Sequence, residues 1–172
     1  MPKDSVKDLI KNSLIALLES KPYSDITVTD LINAAGVARV SFYRHYHSIS
    51  EVVDDVTNDM TSVFLKEVYP VIAVNDEKAW RNFLSSHFSR FADHHKTFSP
   101  KKHQNGHILF GIVNEKVQAL EKTLPSDSLH DKYAVFGKIG LVNNIIKKWM
   151  DEGMKETPEE MIEYIMSFIL LF

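Results

Sequence analysis

The segment Ile26 to Val53, ITVTDLINAAGVARVSFYRHYHSISEVV, constrains this chain more than any other, because it writes two short helices around a glycine turn and then starts a third. Thr27 caps the free N–H groups of the first helix while Asp30, at its third position, reaches back toward the cap, and Ile26 and Leu31 form a hydrophobic staple. Val28, Leu31, Ile32 and Ala35 recur at i, i+3, i+4 and i+7, so one narrow apolar face meets a core for about two turns. Gly36 supplies the left-handed residue that ends the helix, and Val37 beyond it reaches Ile32 as a Schellman motif requires.

The spacing predicts the next helix from about Arg39 to Tyr46, with Phe42 and Tyr46 pointing one way and Val40, Ser41 and Arg44 the other. That separates a buried face from one suited to a DNA groove. Tyr43 and His45 fall on the flanks, within reach of bordering phosphates, and Arg39 sits near the end that approaches base edges. Ser48 followed by Glu51 reads as a second capping box, so a new helix begins almost at once.

With its Ala35-Gly36-Val37 turn and its Phe42-Tyr43-Arg44-His45-Tyr46 run, this first third of the chain resembles the TetR/AcrR-type bacterial transcriptional regulators. The resemblance implies that Thr29, Arg39, Val40, Ser41, Tyr43 and His45 lie at DNA-contacting positions, and Thr27 and Arg44 complete the candidate set. It also implies a ligand-responsive repressor that binds a palindromic operator as a homodimer built through its last two helices. Two positions depart from the usual pattern. Ala38 stands where a serine often opens the reading helix, removing a side-chain cap worth about 1 kcal/mol, and Ile49 replaces a phosphate-touching lysine. These departures keep a second reading open, a coactivator or adaptor of the same fold that acts through protein partners.

The net charge of −3 opposes nucleic-acid binding, but residues 1–50 carry six basic and five acidic side chains, so the acidity lies in the remainder. A head this weakly basic needs two copies acting together on a two-part site. The 172 residues, 44% of them hydrophobic, suffice for a small head, expected at 1–48, and a larger helical body, expected at 49–172. Without cysteine there is neither a disulfide framework nor a thiolate metal site. No apolar run approaches the ~20 residues that cross a bilayer, and MPKDSVKD lacks a signal-peptide core, so a cytoplasmic protein is expected.

The rest predicts an all-α chain. Asp4 to Ser20 carries Val6, Leu9, Ile10, Leu14, Leu17 and Leu18 on one face; Glu51 to Tyr69 follows as a connecting helix closed by Pro70. From about Asp76 to Asp93, Trp80, Phe83, Leu84, His87, Phe88 and Phe91 keep helical spacing. After a break around Pro100 a helix runs to about Lys122, and Leu124 to Ser128 reads as a linker. A helix from Leu129 to Glu152, ended by Gly153, and another opened by Thr157-Pro158-Glu159-Glu160 make a terminal hairpin; Met161, Ile162, Ile165, Phe168, Ile169 and Phe172 form the stripe of the second. Gly137 and Gly140 mark a close-approach surface, either between two copies or within the chain. Phe136 to Met161 resembles, more loosely, the C-terminal signature of a Firmicute-type branch of these regulators.

A small-molecule effector is expected between the body helices, with Phe64, His87, Phe88, Phe91, His107, Phe110 and Asn143 as candidate lining. Among the eight histidines, His103 and His107 are one helical turn apart and His94-His95 lie close by, but a pair supplies only two ligands and no resident metal is expected. No phosphate loop or nucleophile elbow is present, and Ser85-Ser86-His87 point in different directions on one helix, so no catalytic residue and no cofactor are assigned.

Overall fold

The computed structural model describes residues 5–93, 105–121 and 129–171, and among them every regular element is helical. The head contains α1 (Val6–Ser20), α2 (Val28–Ala35) and α3 (Arg39–His45), with a 3-10 turn at Tyr23–Asp25 between the first two. The body follows as α4 (Ile49–Val74), α5 (Glu77–Asp93), α6 (Asn105–Glu121), α7 (Leu129–Asp151) and α8 (Pro158–Ile169). The predicted break around Pro100 and the Leu124–Ser128 linker lie outside the described residues.

Local capping explains most of the starts. Ser5 opens α1 with a full capping box to Asp8, so this helix begins two residues later than the spacing suggested. Thr27 and Asp30 form the same reciprocal pair at α2, and Thr157 and Glu160 repeat it at α8. At α4 only half of the box exists: the Ser48 hydroxyl accepts from Glu51, but the Glu51 carboxylate takes the N–H of His47 at 2.8 Å instead of that of Ser48. Gly36, at φ 62°, closes α2 through the expected Schellman bond from Val37 N–H to the Ile32 carbonyl, 3.1 Å. Gly153 ends α7 in the same way, with Met154 N–H on the Trp149 carbonyl at 2.8 Å.

Pro70 does not close α4. The helix runs through it to Val74 because an exposed proline forfeits one ladder bond, while Val68 and Val71 on either side are buried and hold the segment in place. Asn75 makes the real stop, in the left-handed conformation at φ 51°. Its Oδ1 accepts from Trp80 Nε1 at 3.1 Å and from the buried Lys138 at 2.6 Å, fastening the end of α4 to α5 and α7. A cation belongs there, where the last carbonyls of α4 carry partial negative charge.

Body helices pack α4 against α6, α5 against α8, and α7 against both α6 and α8. Trp80, Phe83, Leu84 and Phe88 are buried as their spacing predicted. On α8 the inner face is Met161, Ile162, Ile165, Met166 and Ile169, so Met166 takes the place expected of Phe168. Phe168 turns outward, edge-on to Tyr164 with ring centroids 5.2 Å apart; Phe172 lies outside the described residues. Among the described residues no helix is long and apolar enough to cross a membrane.

Candidate DNA interface and ligand cavity

The head core fixes the orientation of α3. Phe42 is fully buried and Tyr46 is 3% exposed; the Tyr46 hydroxyl donates to Asp55 of α4 at 2.6 Å. Burial and that carboxylate hold the phenol well above its ordinary range, and Lys7 covers the ring at 5.2 Å from its centroid. With those two side chains anchored, the opposite face of α3 must project outward. Val40 is 71% exposed and Tyr43 43%; Arg39, Arg44 and His45 are also exposed, and Ser41 is half-buried. The Arg39 guanidinium lies over the Tyr43 ring, 5.5 Å from its centroid, and Nη2 donates to the Tyr43 hydroxyl at 3.4 Å.

Thr29 is exposed on α2, whereas the Thr27 hydroxyl is occupied by its capping role with Asp30. Lys21 pairs with Asp30 at 2.7 Å, and that pair, with the Thr27 cap, holds the Asp30 carboxyl far below its usual range. Ala38 gives α3 no side-chain cap. Ile49 is the first residue of α4 and packs partly against the core.

A cavity of about 310 Å³ opens between head and body. Ile15 of α1 forms one wall, Met60, Val63 and Phe64 of α4 a second, and Leu109, Phe110, Val113 and Val117 of α6 a third; His87 and Arg90 come from α5 and Asn143 from α7. Of the expected lining, the structure brings Phe64, His87, Phe110 and Asn143 together. Phe88 stands apart, fully buried against Trp149 with centroids 5.2 Å apart. The side chains of Phe91 and His107 lie outside what the structure describes, as do His94, His95 and His103. Among the described residues no three histidine or acidic side chains gather as metal ligands.

Burial, and secondarily the Arg90 cation, push the His87 imidazole down to about 4, so it is uncharged near neutrality. Its ring stacks on Phe83 and tilts against Phe64, at centroid distances of 5.5 and 5.4 Å. Sequence reading missed Ile15, Arg90 and Asn114, which join the cavity only through the packing of five helices. It also missed Asn105, whose Nδ2 donates to the carbonyls of Leu18 and Lys21 at 2.8 and 2.9 Å while its Oδ1 accepts from Tyr23 N–H at 2.9 Å. That buried amide sutures the C-terminal end of α1 to α6. Lys116 makes a second seam, donating to the Thr57 hydroxyl at 2.7 Å and Asn58 Oδ1 at 2.8 Å on α4.

A capped α2, a glycine turn, and a short α3 with an anchored inner and an exposed outer face, set on a helical body, define a helix-turn-helix fold. Its fold is similar to that of TetR-type regulators. It superposes on a TetR transcriptional regulator from Streptococcus agalactiae 2603V with a TM-score of 0.57 and 22% identity, over 95% of this chain and 93% of that one. The dihydroxyacetone kinase operon activator DhaS matches with a TM-score of 0.61 and 15% identity, over 97% of both chains. In sequence it is 30% identical over 82 residues to the HTH-type transcriptional regulator EthR of Mycobacterium tuberculosis, and equally to that of Mycobacterium bovis. The matched segment covers 45% of this chain and 38% of the length of those relatives. No family model matches the sequence.

Proposed function

We propose that this chain is a DNA-binding transcriptional regulator, a cytoplasmic repressor that grips a two-fold operator as a homodimer and releases it on binding a small molecule. Residues 1–48 act as the DNA-binding head and 49–172 as the sensing and dimerising body. The observation that carries the reading is the division of α3, with Phe42 and Tyr46 locked inward and Arg39, Val40, Tyr43 and Arg44 free on the outer face. The relatives in fold and sequence are themselves transcriptional regulators, which agrees with it.

Dimerisation is supported by the outer face of the terminal hairpin. Tyr133 and Phe136 on α7 and Tyr164 and Phe168 on α8 are exposed, while a Cβ added at Gly137 or Gly140 would meet nothing within 4 Å among the described residues. Among the described residues nothing approaches these glycines from within the chain, and a second copy of the hairpin fits the surface as a four-helix interface with two-fold symmetry. Heads about 34–36 Å apart, or a multiple, meet two half-sites, so a change in the tilt of α4 controls binding.

Selection of genomic fragments with the purified protein is expected to recover a two-fold site. On that site Arg39→Ala and Tyr43→Ala each weaken binding at least tenfold in an anisotropy titration while leaving the melting temperature almost unchanged; unaltered affinity in both would remove α3 from the interface. The uncapped Ala38, the apolar Ile49 and the weakly basic head favour a second reading, an adaptor acting through protein partners. A steep loss of DNA binding with added salt selects direct contact over the adaptor.

A further inference from the structure

The cavity carries information about its ligand, an argument that rests on the regulator reading above only for its biological purpose. Apart from two asparagines its walls are mostly hydrocarbon and aromatic, from Ile15, Met60, Phe64, Phe110, Val113 and Val117. The ionisable groups that touch it are already answered within the protein. Asp59 accepts from Lys11 at 2.6 Å, Arg90 holds both carboxylate oxygens of Glu67, and His87 is uncharged near neutrality. An ion entering this space would leave water for a wall with no spare counter-charge among the described residues, which costs more than the apolar contacts return.

What the wall does offer is an amide pair. Asn143 Nδ2 donates to Asn114 Oδ1 at 3.0 Å, which uses one donor and one acceptor. Asn143 Oδ1 and Asn114 Nδ2 hold no hydrogen bond among the described residues, and neither is sealed in the core. A carboxamide or lactam presents a C=O and an N–H side by side and so complements that remaining acceptor and donor; a lone carboxylate matches only the donor and an ammonium only the acceptor. The space, about 310 Å³, equals roughly ten waters at ~30 Å³ each and suits a compact molecule of this kind.

We propose that the cavity binds an uncharged, mainly apolar small molecule carrying one carboxamide or lactam, with that group on Asn114 and Asn143 and its hydrocarbon against α1, α4 and α6. Because Ile15 belongs to the head, such a ligand touches the DNA-binding unit directly.

The test compares decanamide, decanoate and decylammonium as probes, by calorimetric titration and thermal shift on the full chain without DNA. Decanamide is expected to bind and raise the melting temperature, with the two ions at least tenfold weaker. Asn143→Leu is expected to reduce decanamide binding at least tenfold. Val113→Trp, which fills the cavity from a partly exposed wall, abolishes binding even if the first variant fails to fold. Either ion binding as tightly as the amide, decanamide binding equally to the folded variants and the parent, or no binding of decanamide overturns the proposal. A DNA titration of the same preparations separates the two readings: operator binding without decanamide binding removes only the ligand class, and decanamide binding without any DNA binding removes only the regulator.

Discussion

Head and body satisfy their polar groups over different distances. In the head, Ser5 with Asp8 and Thr27 with Asp30 join groups three positions apart, and each pair completes the capping of one helix end. Among the described residues the body shows one such box, at Thr157, but its defining contacts are long: Asn105 reaches Leu18 across 87 positions, Lys116 reaches Thr57 across 59, and Asn143 reaches Asn114 across 29. Local closure sets the ends of α1 and α2, while α3 is anchored on α4 through Tyr46 and Asp55. Long-range closure ties helices to each other, and the Asn105 seam ties the head to α6.

The seam at Asn105 offers the largest test of that contrast. Asn105→Leu strips partners from two carbonyls and one N–H at the end of α1, and at 1–3 kcal/mol for each unpaired buried group a total loss of about 3 kcal/mol is expected in urea unfolding. Faster hydrogen exchange at the Tyr23 amide should accompany it. A loss under about 1 kcal/mol would mean that head and body are held by apolar packing and that the contrast is overstated.

Acid separates the two regions next. An unfolded His87 takes up its proton near 6.5 and the folded one only near 4, so between those values the unfolded state binds more protons. Stability therefore rises with pH across that window and falls as pH drops through it, by about 2 kcal/mol between pH 7 and 5. In the head, Asp8 is held low chiefly by Ser5, and Asp30 by Lys21 and Thr27; starting from an ordinary value of 3.8, their contribution is lost only as pH falls below that. The body thus weakens before the head. His87→Phe, which suits the aromatic slot between Phe64 and Phe83, should flatten the slope from pH 7 to 5 without altering the loss at lower pH.

The same difference in distance explains what was legible beforehand. Thr27, Asp30, Gly36 and Val37 could be read because a cap or a Schellman turn is decided within six residues, and Phe42 and Tyr46 because one helical turn separates them. Asn105, Asn114 and Arg90 gave no comparable signal, since an asparagine acquires its meaning only from the carbonyls a distant helix brings to it. Pro70 and Phe168 were misread for a related reason. A proline ends a helix unless buried neighbours hold it, and an aromatic joins the inner stripe unless the helix has a second apolar face. His87 was visible as a polar break in an apolar stripe, but the cavity beside it was not.

The smallest effects bear on whether the head is a sum of separate local closures. Thr27→Ala removes a complete box and should cost about 1 kcal/mol. Ala38, at φ −70° and ψ 147°, already has the extended backbone of a cap but no side chain to use it. Ala38→Ser places a hydroxyl where it accepts from the N–H of Ser41 and should return about 1 kcal/mol. The two changes sit on different helices and share no hydrogen-bond partner, so the double variant should match the parent within about 0.5 kcal/mol in denaturation midpoint. A larger residue of coupling would show that α2 and α3 are adjusted to each other through Gly36 and Val37, and the placement of the outer face of α3 would then depend on the turn as well as on the caps.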